Sequence, residues 1–556
     1  MLKKFLGYTL LIFVFFLTNI AGQFLCANIK TATPLEISNI PDYRLKVVLI
    51  PLDSRPACTQ FVEQLADIAK IQIIVPPPEL LDNYKTPADK AAIRDWMIST
   101  CKTADAAIVS VDMLMHGGLL ASRLGAGTSS DSSEAIKLLR DIHKENPQIK
   151  LYAFNIIPRL LLADSKENTA FQKNMLKYSV LKNQIDTFEN PIDLEMLSEI
   201  ESDTPADIIA KYNEMYANNA RTNAELTSLA EQDILAGLVI GQDDGQPFGI
   251  PNMNKEKIQN YITKHSLDSK VIVTRGTDEV ALTLLGRIVA NWDNFHPRIH
   301  VIYSDQDAAH ITMPYMPHTV ATTIHEKIKL IGGIEVFQPN DADFILYIHI
   351  GTQKNKQNLV QISTQVQQFV DQGYQVALVD LSENFDGNQT LLPFLKNANI
   401  AQLIAYAGWN TTSNSIGTAV TQATIFTDAL KTQNEFKGTL RLYQANLEFL
   451  ISRYLDDWYF QKDVQPIVNN HLKMLPADPY NLDDHYEWTN SLVNNMMQHN
   501  TRILFQDYLY NRPLKLNTIE GTKEIYITEL VLQSHLPWSR TFEIFVKPSI
   551  KFAIIN

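Results

Sequence analysis

Short apolar runs that stop abruptly at polar residues, separated by stretches of helical periodicity, recur through most of this chain and restrict it to one broad fold class. The clearest is LAGLVIGQDDGQPFGIPN at 235–252. Its apolar part suits a strand buried on both faces of a parallel sheet. The run ends on two adjacent carboxylates, Asp243 and Asp244, and passes into a loop punctuated by Gly245, Pro247, Gly249 and Pro251. Upstream, KVVLIPL at 46–52 ends on Asp53, Ser54 and Arg55, and IQIIV at 71–75 ends on three prolines. AAIVSV at 106–111 ends on Asp112, with His116 and Arg123 beyond it, and the run at 150–157 ends on Pro158 and Arg159. The run at 270–274 leads into Arg275, Gly276, Thr277, Asp278 and Glu279. Later runs precede Ser304 and Asp305, carry His349, precede Asp380, and lead to Gly408, Trp409 and Asn410.

Strands alternating with helices imply an α/β protein of parallel βα units, barrel-like or doubly wound, in two lobes. The pattern leans to a barrel-like first domain at 44–300, interrupted by a polar helical insertion at 165–232, and a Rossmann-like second lobe at 301–435. A helical segment and a small C-terminal β module follow at 436–556, the latter read from the alternation in ITELVLQ and TFEIFVKPSIKFAII. Leu447, Ile451, Leu455 and Trp458 share a helical face and read as packing.

Residues 1–27 differ from the rest. Lys3 and Lys4 precede a short apolar segment and then small residues, the layout of a secretory signal peptide, so the chain is expected to be exported to the periplasm or the medium. Loss of those two lysines, with no acid removed, moves the formal charge from −13 to −15. A chain this acidic lacks the basic patches that nucleic acid demands, and it has no lysine-rich face for anionic lipid. The expected partner is a small molecule or carbohydrate substrate, with no nucleic acid and no membrane contact beyond the export signal. Cys58 and Cys101 lack CxxC or zinc-ligand spacing; they form either one disulfide or two buried thiols.

If the strands are parallel, their polar tips converge on one rim. Asp243 and Asp244 are the candidate catalytic pair, and Asp53, Arg55, Asp112, His116, Arg159, Arg275, Asp278, Glu279, Trp409 and Asn410 are candidate substrate-binding residues. Carboxylates crowded near arginines let one acid stay protonated while another stays ionised, as acid–base hydrolysis of a glycosidic bond requires. No organic cofactor is predicted: GxGxxG and Walker A patterns are missing, as are HExxH and GxSxG. The residue types are compatible with a divalent metal, since Asp53, Asp112, His116 and Asp243 are oxygen and imidazole donors.

PLDSRP at 51–56, SVDMLMHGGLLASR at 110–123, GQDDGQPFG at 241–249, TRGTDEVALTLLGR at 274–287 and AYAGWNTTSNSIGT at 405–418 together resemble a bacterial family known only as domain-of-unknown-function family 4127. That resemblance implies no particular reaction. The Asp243–Asp244 dipeptide also resembles the paired aspartates of retaining hexosaminidases. On that likeness Asp243 would polarise the substrate's own acetamido group and Asp244 would be the general acid. These expectations describe an exported hydrolase of a carbohydrate or amino sugar. A polar-ligand binding protein and a metal-dependent hydrolase are the alternatives.

Overall fold

The computed structural model describes residues 32–35, 42–161 and 168–555; the expected signal peptide lies outside them. Among the described residues no helix is long and apolar enough to cross a membrane. The strands, in chain order, are β1 (Ala32–Leu35), β2 (Leu45–Ile50), β3 (Ile71–Ile74), β4 (Ala106–Ser110), β5 (Lys150–Ile157), β6 (Gly237–Gln242), β7 (Val271–Arg275), β8 (Arg298–Tyr303), β9 (Ile334–Glu335), β10 (Phe344–Gly351), β11 (Val376–Ser382), β12 (Ala405–Ala407), β13 (Pro513–Thr518), β14 (Gly521–His535) and β15 (Phe545–Ile555).

β2 to β7 form a parallel sheet in the order β3-β2-β4-β5-β6-β7, and β8 to β12 a second in the order β12-β11-β10-β8-β9. The runs are apolar throughout because both faces of each sheet are covered. Neither sheet closes on itself. β3 and β7 are unpaired edges, so the barrel-like reading of the first half gives way to an open, doubly wound sheet. Apolar runs with polar ends are common to both arrangements; what separates them is whether the first and last strands meet, which the pattern does not encode. In each sheet the winding reverses once. The chain steps from β2 to β3 on one side and then to β4 on the other, and from β8 to β9 and then to β10. In open parallel sheets ligands bind at such reversals, outside the carboxyl ends of the strands.

One hydrophobic core lies between the two sheets, where the helices Val280–Trp292 and Thr412–Thr432 join residues of both. A second covers the outer face of the first sheet and includes helices of the insertion: Gln172–Phe188, Pro191–Asp203 and Ala206–Glu231. A third unites the outer face of the second sheet with the C-terminal module. That module is antiparallel, in the order β1-β15-β14-β13, so the first described strand closes onto the last. Leu447, Ile451 and Leu455 are core residues, as their spacing predicts, but the helix Phe436–Arg453 runs on into a π-helical stretch, Tyr454–Val464. Cys58 and Cys101 are free, buried thiols.

Candidate active site at the edge of the first sheet

The parallel sheet delivers its polar tips to one end, and arginines tie them together. Beyond β2, Arg55 lays its guanidinium across two carboxylates. Nη2 donates to Asp53 Oδ2 at 2.6 Å and to Asp278 Oδ1 at 2.7 Å, while Nε donates to Asp53 Oδ1 at 3.0 Å. Asp278 comes from the loop after β7, so the bridge staples two tips that are distant in sequence. All three residues are buried. Burial acts to raise Asp53, but the Arg55 charge and hydrogen bonds outweigh it and hold the carboxyl below the usual range; for Asp278 burial, aided by the Asp53 charge, outweighs Arg55 and leaves it above. Asp53, Cys58 and Asp278 each offer an atom within 4.8 Å of the others. The Arg55 guanidinium already balances the two carboxylates, and burial together with the nearby aspartates pushes the Cys58 thiol well above its ordinary value.

The second tie joins the exits of β4 and β6. Arg123 grips Asp243 bidentately, with Nε to Oδ2 at 2.7 Å and Nη2 to Oδ1 at 2.8 Å. Burial works against ionisation of Asp243, yet this clamp, with a hydrogen bond from the Asp244 amide at 2.8 Å, keeps it below the usual range. Asp244 experiences the reverse. Burial and the Asp243 charge beside it push its carboxyl up to about 6, and Arg123 and Arg159 only partly offset them. Its side chain is partly exposed, and among the described residues its carboxylate accepts no hydrogen bond. Adjacent aspartates thus hold opposite tendencies, one fixed and ionised, the other open and protonatable. Asp112 sits in the first turn of the short helix Val111–His116, accepts the Ile156 amide at 2.9 Å, and is pushed by burial up to about 7.

One more acid, Asp82, completes the rim. Asp82, beyond β3, accepts the Ser54 amide at 2.8 Å; burial and then the Asp53 charge push it up to about 8. Gly118, at φ +124°, makes room for it, because a Cβ there would lie 3.0 Å from Asp82 Oδ2. Ser54 also receives the Trp538 indole N–H at 3.0 Å, from the loop that joins β14 to β15. This loop roofs the rim. Trp538 stacks near Tyr84, and the Arg540 guanidinium, paired to Glu543, lies over both rings. Under the roof is a cavity of about 260 Å3 whose wall includes Arg55, Tyr315, Phe385, Trp409, Asn410, Lys462, Phe542 and Glu543. It adjoins the acid cluster twice: Arg55 belongs to both, and the Gly245 amide donates to the Tyr315 carbonyl at 3.2 Å.

The structure therefore brings Asp53, Arg55, Asp278, Asp243 and Asp244 into one electrostatically linked group, with Arg159 and Asp112 at its margin. Trp409 and Asn410 line the neighbouring cavity, although Trp409 is only 7% exposed and its ring packs edge-on against Phe61. Three candidates lie elsewhere. His116 accepts the Gly127 amide at 2.7 Å in a buried pocket that lowers it to about 4, beside Lys90 and Asp131. Arg275 is buried against Glu326, and Glu279 pairs with Lys327 at 2.6 Å between the sheets, where Ser413 also bonds it. Gly276, at φ +99°, permits that geometry, since a Cβ would fall 1.9 Å from Glu279 Oε1. Sequence reasoning leaves out Asp82, Arg123 as a partner, and the whole 536–544 loop. Arg123 is the last residue of the quoted SVDMLMHGGLLASR motif, whereas Asp82 and Trp538 carry no local signal.

The model of the family described as "Protein of unknown function (DUF4127)" matches residues 47–547. The chain belongs to this family. The matched span takes in both parallel sheets and the roofing loop, so every part of the rim lies inside the family's common region. A search of curated proteins finds no match.

Proposed function

We propose that this DUF4127 protein is an exported hydrolase that cleaves a glycosidic bond of a carbohydrate or amino sugar by carboxylate acid–base catalysis. The observation that carries the reading is the split within the Asp243–Asp244 pair: Arg123 immobilises one as an anion, while the other, at about 6 and without a side-chain hydrogen-bond partner among the described residues, is free to give up a proton. Asp244 protonates the leaving oxygen, and the fixed Asp243 charge stabilises the positive character that develops on the sugar ring or on its acetamido group. The aromatic wall of the adjacent cavity supplies flat surfaces on which a pyranose ring stacks. The apolar N-terminal segment behind two lysines supports export.

Purified protein should turn over at least one member of a panel of aryl glycosides, N-acetylhexosaminides and cell-wall fragments. Asp244→Asn should lower the rate about 10²- to 10⁴-fold, the range for removal of a general acid, with thermal stability retained. The wild-type rate should fall as pH rises through about 6, where Asp244 loses its proton. No turnover by wild type, or undiminished turnover by Asp244→Asn, removes the reading. The cavity itself favours a second reading, a binding protein for a polar ligand; stabilisation by a saccharide with no product formed would select it.

A further inference from the structure

The second sheet reverses its winding between β8 and β10, the place where an open parallel sheet presents its ligand crevice, and there the chain carries a serine and a histidine in contact. Ser304 is the residue immediately after β8, and its amide donates to the Ile348 carbonyl of β10 at 2.9 Å. That bond seats its hydroxyl against the next residue of β10, with Ser304 Oγ 2.9 Å from His349 Nδ1. The other ring nitrogen, Nε2, lies 2.8 Å from the Gln389 backbone carbonyl. A carbonyl only accepts, so the hydrogen-bond network assigns the ring proton to Nε2. Nδ1 is then a lone pair facing a hydroxyl positioned to donate to it. Gly351 underlies this geometry: a Cβ there would be 2.0 Å from the Gln389 oxygen, so only glycine lets that carbonyl descend onto the histidine.

We propose that Ser304 is a nucleophile activated by His349, forming a second reactive centre for activated acyl groups such as carboxylic esters. The arrangement has the three parts such a centre needs: a nucleophile, a base at hydrogen-bond distance, and a group that fixes the base's tautomer. Ser304 keeps part of its surface open to solvent, whereas His349 is fully buried. Burial, opposed by the Asp380 charge, lowers the imidazole and keeps it neutral, the form a base requires. The segment that fixes the imidazole also carries an unsatisfied amide. The Gln389 side chain is 0% exposed, and among the described residues neither its Nε2 nor its Oε1 has a hydrogen-bond partner, an unusual state for a buried amide.

In the step, Ser304 Oγ forms a bond to the acyl carbon while its proton passes to His349 Nδ1. The tetrahedral intermediate collapses with loss of the alcohol, which takes that proton. Water, deprotonated at Nδ1, then bonds to the acyl carbon; the acyl–Oγ bond breaks, Nδ1 returns the proton to Oγ, and the acid is released. Nothing is oxidised or reduced.

A fluorophosphonate probe tests the centre directly, because Oγ displaces fluoride to leave a stable phosphonyl serine. Intact-mass and peptide mass spectrometry of the full-length wild type should find one adduct, at Ser304. Ser304→Ala should give none, and His349→Gln should slow labelling by about 10²-fold or more. Near-ultraviolet circular dichroism of both variants reports whether they fold; Ser304→Ala removes one half-exposed hydroxyl and is the decisive comparison if His349→Gln does not. Absence of an adduct on wild type, an adduct at another residue only, or equal labelling of Ser304→Ala overturns the proposal.

Discussion

The two parallel sheets place polar residues at equivalent positions, yet they satisfy them in opposite ways. At the first sheet the tips are charged, and guanidinium groups from neighbouring tips neutralise them: Arg55 serves Asp53 and Asp278, and Arg123 serves Asp243. At the second, Asp380 has no cation bonded to it among the described residues. Its oxygens accept the amides of Leu391 and Leu392 at 2.7 and 3.0 Å and the Tyr406 hydroxyl at 3.1 Å, and burial raises it. A carboxylate matched by full charges keeps a strong local field suited to moving protons. One matched by neutral dipoles makes a quiet scaffold for the turn it holds.

Removing the shared cation is the harshest way to break this contrast. Arg55→Ala strands two buried carboxylates, and the loss should be about 3–5 kcal/mol in urea unfolding, the range for one partner removed from a buried ion pair. A loss below about 1 kcal/mol would mean that Asp53 and Asp278 are not held as this geometry describes. Asp380→Asn should cost less, about 1–3 kcal/mol, because only one backbone donor loses its acceptor and no charge is left behind. If the two substitutions cost the same, the distinction between the sheets fails.

The gentlest test uses pH. Asp82, held near 8 when folded against about 4 in an unfolded chain, binds its proton more tightly in the native state. Stability should therefore fall as pH rises from about 4 to 8, by at most about 1.4 kcal/mol per pH unit from this group. Asp112 and Asp244 act in the same direction over narrower ranges, ending near 7 and 6. Asp53 and Asp243, held low, act oppositely and only in acid. Urea midpoints measured between pH 5 and 8 should drop for wild type and drop less for Asp82→Asn. Parallel curves would show that Asp82 ionises normally.

Much of this was legible in the order of residues. Asp53, Asp243 and Asp278 converge because an apolar run ending on a charge has one place to put it once its neighbours are parallel. Charge partners are harder to read. Arg55 to Asp278 spans 223 positions, and nothing near either residue names the other. Asp380 reads as an exit residue, whereas it lies within its strand, since a buried polar side chain with enough donors does not interrupt a ladder. Arg275 ends β7 and Glu279 stands just past it, but there the next layer of helices covers the tip, and their charges became cement between the sheets. The π-helical turn after Arg453 has no compositional signature at all, because it differs from an α-helix by one residue of register.

Trp538 bonds Ser54 across 484 positions, and β1 is zipped to β15 with Pro34 opposite Ala553 and Leu35 opposite Phe552. During synthesis, then, the first sheet can be finished while its ceiling is still unmade, and the earliest strand must wait for the latest before it has a neighbour. A ribosome halted short of the 536–544 loop would release a body with its acids uncovered and a loose leading edge. Timing is thereby written into the architecture: the rim stays open to water until the message has been read almost to its end.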